Sequence, residues 1–440
     1  MLARIGIIFV INVLLYHRTL RYSYVSDDIP IFHHPPKFKN KWHKIFLWIT
    51  GSYKWSPKKD HIANLLIHAA VSIMIYLAFG ATNVSFLAGI LFAINPANNQ
   101  GSMWISGRGY TLPLLCLLSA MCVPHIVAIP LLYCCTWYTV GFLIPLVLLG
   151  SSHWVLIIIM PIIWWLHSKK FVGAVKIKTK METVPEDHRM HIGKLVMAIK
   201  TVGFYLSLCF FPAKITFYHS FLQSCAGNTI MRKRAYTVKD IFFWVGLASI
   251  VGWGAYIYFN GWNMVSYGMM WYFVTIAPFS NLKRVQQEIT ERYAYIPCVG
   301  VMLALATLIV SYPILIAIFI TGYAVKLTHI MRMYVDDYWL VESAVYEDPG
   351  AWYAWHTRGH KRWSNGSHKE ALTMWVMAKL ISPKEFKVLF NIACVLKLLK
   401  KYQESKQYLK EAEENIIEGQ EELAKNVFKE LANGKTPLLR

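Results

Sequence analysis

Charge is scarce in this chain, and acid scarcest of all. Asp and Glu number 24 against 45 Lys and Arg, and charged residues fill only 16% of the 440 positions. Soluble domains carry roughly 25%, so an ordinary water-soluble domain is excluded and a membrane protein is expected. The eight cysteines include no C-x-x-C pair, and Cys116, Cys122, Cys134 and Cys135 lie inside apolar runs. That excludes a disulfide framework and a cysteine metal centre. No zinc-finger, RRM or helix-turn-helix pattern accompanies the basic residues, which are scattered through loops between apolar segments. Nucleic acid is therefore not the expected partner; anionic lipid, or a phosphate-bearing lipid substrate, suits the formal charge of +21 better. No small-residue cleavage site follows 1-MLARIGIIFVINVLLYH-17, so this stretch reads as an uncleaved first span.

What is present is apolar sequence in runs of spanning length. Candidate spans cover 3–17, 61–80, 84–96, 110–123, 124–137, 138–149, 151–166, 193–212, 238–258, 262–278 and 294–326, the last long enough to be two. The count is ten to twelve, with eleven favoured. Several of the middle runs fall short of the ~20 residues a straight span needs. Pro113, Pro124, Pro130, Pro145 and Pro161 interrupt them, as in broken helices that line a cavity or pack on neighbours. Four polar connections stand out: 18–60, 97–109, 167–192 and 213–237. Both 18–60 and 167–192 are rich in Lys and Arg, so the positive-inside rule leaves orientation open.

After about residue 331 the composition turns charged and helix-forming, which predicts a separate soluble helical domain over 331–440 behind a membrane domain over 1–330. The tail repeats. A 34-residue unit from Trp352 to 385 puts Trp355, Gly359, Ala371, Trp375, Ala378 and Pro383 at tetratricopeptide-repeat positions. A second, 386–419, sets Leu389, Ala393, Leu396, Leu409 and Ala412 in register, and 419–440 reads as a capping helix. The bland alternative is a generic pair of helical hairpins. Such a tail docks proteins or peptides and does no chemistry.

The acidic pair in 24-YVSDDIPIFHH-34 is the unusual feature of a basic chain. Taken alone, Asp27 and Asp28 are as well explained as a helix cap or turn. The order of motifs adds more: a span, the loop with the Asp pair, 61-HIANLLIHAA-70, 92-FAINPANNQGSMWISGRGYTLP-113, 203-GFYLSLCFFPAKI-215, 271-WYFVTIAPFSNL-282, 291-ERYAYIPCVG-300, then repeats. This order, and WISGR and ERYxYIPxVG above all, resembles the transmembrane and tetratricopeptide-repeat-containing O-mannosyltransferases and their bacterial relatives of the GT-C glycosyltransferase class. Asn95 and Gln100 stand where members often carry His and Glu.

The resemblance implies an all-α polytopic GT-C-like domain with an external acidic loop, and repeats on the side of the active site. It implies inverting transfer of a mannose-like sugar from a polyprenyl or dolichyl phosphate to a protein Ser or Thr. One Asp serves as general base, worth roughly 10²–10⁴-fold in rate, while the other orients it, binds the sugar or holds a divalent cation. The sequence leans to Asp28 as the base. Arg108 and Arg292 are the expected phosphate contacts, because a guanidinium fork fits phosphate; a structural ion pair or snorkelling to the interface is the alternative for each, and Arg292 has Glu291, its own neighbour, or another loop carboxylate to pair with. His61 also reaches toward phosphate, with Gln100, Glu291, Tyr293 and Trp104 in support. Arg18, Arg21 and Lys214 are more distant candidates for the phosphate. His61, Asn64 and His68 share one helix face, where interhelical hydrogen bonding competes with any site role. No metal ligand set is evident.

Three classes of function remain open: the transferase, an inactive membrane-anchored repeat scaffold for a protein partner, and a lipid flippase or transporter. A bacterial cell membrane is favoured as the location, or the endoplasmic reticulum in a eukaryote, with site and repeats on the non-cytoplasmic side.

Overall fold

The computed structural model describes residues 1–124, 127–128, 131, 191–223, 225, 228, 237–282, 288–416 and 420–439. The expected spans 138–149 and 151–166, and 124–137 apart from residues 124, 127, 128 and 131, lie outside the described residues with Pro130, Pro145, Pro161, Cys134 and Cys135, as does nearly all of the loop 167–192. Among the described residues all regular structure is helical. The part before residue 331, the expected membrane domain, contributes α1 (Leu2–Tyr16), α2 (Asp28–His33), α3 (Lys41–Ile49), α4 (Pro57–Ala78), α5 (Asn83–Ile94), α6 (Asn99–Ser102), α7 (Arg108–Ala120), α8 (His191–Phe210), α9 (Ile241–Asn260), α10 (Met264–Ile276), α11 (Tyr295–Ile309) and α12 (Pro313–Ile330). The tail follows as α13 (Asp337–Glu347), α14 (Trp352–Ser364), α15 (His368–Ile381), α16 (Phe386–Leu398), α17 (Tyr402–Glu414) and α18 (Glu421–Ala432).

Local chemistry sets these ends. Ser56 caps α4 through the Lys59 amide, with Pro57 in the first turn where its missing N–H costs nothing. Thr82 and Ser85 cap α5 reciprocally, and Asn263 accepts from the Val265 and Ser266 amides at the start of α10. The long apolar segment 294–326 does divide: α11 ends at Ile309, and Pro313 opens α12.

Among the described residues, six helical stretches are long and apolar enough to cross a membrane: Leu2–Arg21, Pro57–Ala78, Gly193–Phe210, Ile241–Asn260, Glu291–Ile309 and Pro313–Tyr334. On the outer ones, large apolar side chains are bare, among them Trp244, Val251 and Phe259 on α9 and Ile314, Ile318 and Val325 on α12. Surface of that kind is compatible with lipid as its solvent.

Inside, α10 and α11 pack backbone to backbone where Gly268 meets Gly300, as do α8 and α9 at Gly203 and Gly246. A Cβ on Gly268 would stand 2.5 Å from the Gly300 carbonyl oxygen, so only glycine allows the approach. A polar pin ties three helices at the centre. His68 on α4 donates Nε2–H to the Ala93 carbonyl on α5 (3.1 Å) and accepts at Nδ1 from the Tyr295 hydroxyl on α11 (2.7 Å). Interhelical bonding is thus what His68 does in the structure.

In the tail, α14 pairs with α15 and α16 with α17, each helix starting 34 positions after its counterpart. Gly359 lies flat under the Trp375 indole, which donates to the His356 carbonyl (3.0 Å). The tail is moored to the membrane part through Asp348, which accepts from the Ser220 amide and hydroxyl (both 2.7 Å) and pairs with Lys214 (3.1 Å). Asp337 adds a second mooring by accepting from the Ser26 amide at 2.7 Å.

Candidate functional site

The loop 18–60 folds down onto the segment 97–108 through a buried charge quartet: Asp28, Lys54, Asp60 and Arg108, two acids and two bases. Asp60, in the first turn of α4, is the hub. Its carboxylate accepts from the Tyr24 hydroxyl (2.6 Å), the Trp48 indole and the Trp55 amide (3.0 Å), and meets Arg108 Nη2 at 3.5 Å. Burial and the Asp60 charge hold the Tyr24 phenol above its ordinary range. Arg108, at the start of α7, donates Nε–H to Asn64 Oδ1, Nη1 to the Trp48 carbonyl and Nη2 to the Asp60 carbonyl. Asn64 passes the connection on to the Trp104 carbonyl (3.1 Å). Gly51, at φ +78°, turns the loop against the Arg108 side chain, a conformation glycine adopts without strain.

Asp28 is equally committed. Its Oδ1 accepts from Lys54 Nζ (2.9 Å), the Ser106 hydroxyl (2.6 Å) and the Ser106 amide (3.0 Å), while Oδ2 meets the Ile105 amide at 3.3 Å. Burial pulls the Lys54 ammonium below the ordinary lysine range, and the Asp28 carboxylate works against it. Neither side chain opens to solvent.

These contacts correct two expectations. Arg108 has all three guanidinium nitrogens on protein acceptors and no exposed surface, so it is a structural clamp and offers no fork to a phosphate. Asp28, the favoured base, is a buried anchor for the WISGR segment.

Asp27 differs from its neighbour. The chain turns at Ser26 (φ +51°) into α2, and that turn sends Asp28 inward and leaves Asp27 exposed. Asp27 stands at the N-cap of α2 without making a capping hydrogen bond. Its charge acts on two groups across the loop, Arg292 and Tyr218. Burial, then Tyr353 and the Asp27 charge, hold the Tyr218 phenol far above its usual range.

Arg292, half-buried, lies over the Trp104 ring (5.3 Å) and the Tyr293 ring (5.6 Å) and is hydrogen-bonded to Tyr110. Its amide donates to Gln100 Oε1 (3.2 Å), which also accepts from the Thr290 hydroxyl (3.0 Å). Tyr293 is stacked on Phe279 at 4.2 Å. Two buried donors beside this cluster, Gln100 Nε2 and Trp104 Nε1, have no partner among the described residues. Buried donors rarely stay unmatched.

Glu291 is committed to other partners. It accepts from Asn99, the Thr216 amide (2.7 Å) and His219 Nε2 (3.0 Å), and Asn99 in turn accepts from the Tyr334 hydroxyl. This buried network ties ERY to the polar segment 211–223. His61 follows Asp60 beside the quartet: its Nε2 is 3.5 Å from the Ser23 carbonyl, its ring meets Tyr22 edge-on, and its buried Nδ1 has no partner among the described residues. Among the described residues no group of three or more His, Cys, Asp or Glu is arranged to hold a metal ion.

Sequence reading missed Asp60, Lys54, His219 and Tyr110. Asp60 carried a signal: it is an acid at the head of an apolar run, in the first turn of α4, where an ionisable group is costly unless paired. Lys54 and His219 carried none, each being one basic residue among many in its loop.

No family model, curated protein or solved structure matches the chain.

Proposed function

We propose that the protein is an integral-membrane glycosyltransferase that moves a mannose-like sugar from a polyprenyl or dolichyl phosphate to a protein hydroxyl. Asp27 is its general base and Arg292 its phosphate contact. One observation carries this: of the two adjacent acids, Asp27 is the exposed one, and its charge acts on the guanidinium that lies over Trp104 and Tyr293. Gln100 Nε2 and Trp104 Nε1 supply donors for sugar hydroxyls next to that guanidinium. An exposed carboxylate accepts the acceptor proton as the sugar–phosphate bond breaks, and a guanidinium offsets the charge that grows on the leaving phosphate. A divalent cation, if used, would join Asp27.

The membrane part has about eleven spans, in keeping with the six apolar helices seen and the apolar sequence between 124 and 166. The tail is two tetratricopeptide-type units with a capping helix, supported by the 34-residue spacing of its helix starts. It docks the acceptor protein. Site and tail lie on the non-cytoplasmic face of a cell membrane, or of the endoplasmic reticulum in a eukaryote.

Transfer from radiolabelled polyprenyl-phosphate mannose in membranes tests the assignment. Asp27→Asn is expected to lose about 10²–10⁴-fold in rate at unchanged protein level. Undiminished transfer by Asp27→Asn would remove the base. Failure of the wild-type chain with several sugar donors would favour the second reading, an inactive anchored scaffold. The internal pairing of Arg108 with Asp60 and of Asp28 with Lys54 is the observation on that side.

A further inference from the structure

The segment Lys435–Leu439, after α18, forms no regular structure, yet side chains of α14 and α16 hold it. Asn391, fully buried on α16, pairs with both backbone groups of one residue: its Nδ2 donates to the Leu439 carbonyl (2.8 Å), and its Oδ1 accepts from the Leu439 amide (2.9 Å). His360 on α14 donates to the same carbonyl (2.8 Å), and the Cys394 thiol lies 3.4 Å from the Pro437 carbonyl. Leu439 sinks into the cluster of Phe386, Phe390, Val427 and Leu431, and Leu438 touches both apolar clusters of the tail.

We propose that this face is a peptide groove which the chain fills with its own segment 435–439, and which takes in exchange an extended Pro-Leu-Leu-type peptide from a protein partner. The chemistry of the occupant identifies the ligand. A side-chain amide that grips both backbone groups of one residue reads extended main chain, as a neighbouring strand would. The sockets beside it admit consecutive leucines, and a proline two residues earlier pre-sets the extended approach. An empty groove would leave Asn391 buried without those partners, which is costly, so the site is built to be filled. The segment is also easily exchanged. It hangs from α18 by Asn433 and Gly434 (φ +82°), and Lys435 is exposed. A tether this short holds its end at an effective concentration of roughly millimolar, so the segment screens the groove against weak peptides without closing it to strong ones. The proposal is independent of whether the membrane part transfers sugar.

The test uses the full chain in nanodiscs and a fluorescent peptide, Asn-Gly-Lys-Thr-Pro-Leu-Leu. Leu439→Asp, and separately a chain ending at Gly434, should bind the peptide about tenfold more tightly than wild type. Adding Asn391→Ala to either should abolish the gain. In unaltered protein, millimolar peptide should accelerate hydrogen exchange of residues 435–439. Unchanged exchange there overturns the proposal whatever the variants do. So does binding equal to that of a scrambled peptide. A wild-type dimer that Leu439→Asp dissolves would also overturn it, in favour of exchange between copies.

Discussion

Asp28 Oδ1 and Lys54 Nζ lie 2.9 Å apart with neither side chain open to solvent. Lys54→Met would leave the carboxylate buried against two backbone amides and one hydroxyl, its cation gone. Breaking one partner of a buried pair costs about 3–5 kcal/mol, whereas neutralising both is often nearly free. The single variant is therefore expected to melt well below wild type in detergent. Adding Asp28→Asn to it should recover much of the loss. Additive losses in the double variant would mean that the two groups do not interact.

Arg108 and Arg292, equal candidates in the sequence, are expected to separate under the same conservative change. A lysine at 108 reaches at most part of the set Asn64, Trp48 and Asp60, so Arg108→Lys should lower the melting midpoint and transfer together. At 292 the fork lies over Trp104 beside exposed Asp27, so Arg292→Lys should cut transfer roughly 10²-fold with the midpoint held. Equal loss of stability in both would return Arg292 to a structural role.

How much of this was legible follows from the range over which each feature is determined. Helix positions were local. Apolar run, cap and proline together put the run 61–80 against Pro57–Ala78, and Pro313 divided the run 294–326 as expected. The 34-residue spacing between the helix starts of the tail was legible for the same reason. Partner choice was not. Asp60 and Arg108 are 48 positions apart, and nothing in the chain says which acid a basic residue will find. The opposite fates of Asp27 and Asp28 hang on a left-handed turn at Ser26, a residue with no strong preference for one. Adjacent identical side chains at a helix entry point in different directions, and composition is blind to that.

The contact between Gly268 and Gly300 gives a prediction for the membrane part itself. A methyl at either position meets backbone, which cannot rotate away, so α10 and α11 must separate. Gly268→Ala and Gly300→Ala should each cost about 1–3 kcal/mol. Gly252→Ala, on α9 with open space around it, should be neutral. Thermal midpoints in one detergent compare the three. A neutral Gly300→Ala would show that the helices are not in contact at this point.

The tail should weaken in mild acid, and His356 is the reason. It is buried on α14, faces His360 and Lys387, and accepts at Nε2 from Asn391 Nδ2 (3.1 Å), which only a neutral ring can do. Burial first, and then those two basic neighbours, hold its pKa well below the ordinary 6.5. Between the folded value and 6.5 the unfolded chain therefore binds the extra proton and the folded chain does not. The contribution of His356 is present in full above pH 6.5 and drains away as the pH falls beneath it. Hydrogen exchange over residues 352–364 and 386–398 of the full chain should accelerate between pH 7.5 and 5.5, after correction for intrinsic rates. His356→Gln, which keeps an acceptor and cannot titrate, should flatten that dependence. If the glutamine variant keeps the same slope, another group is responsible and the neutral histidine is incidental to the groove.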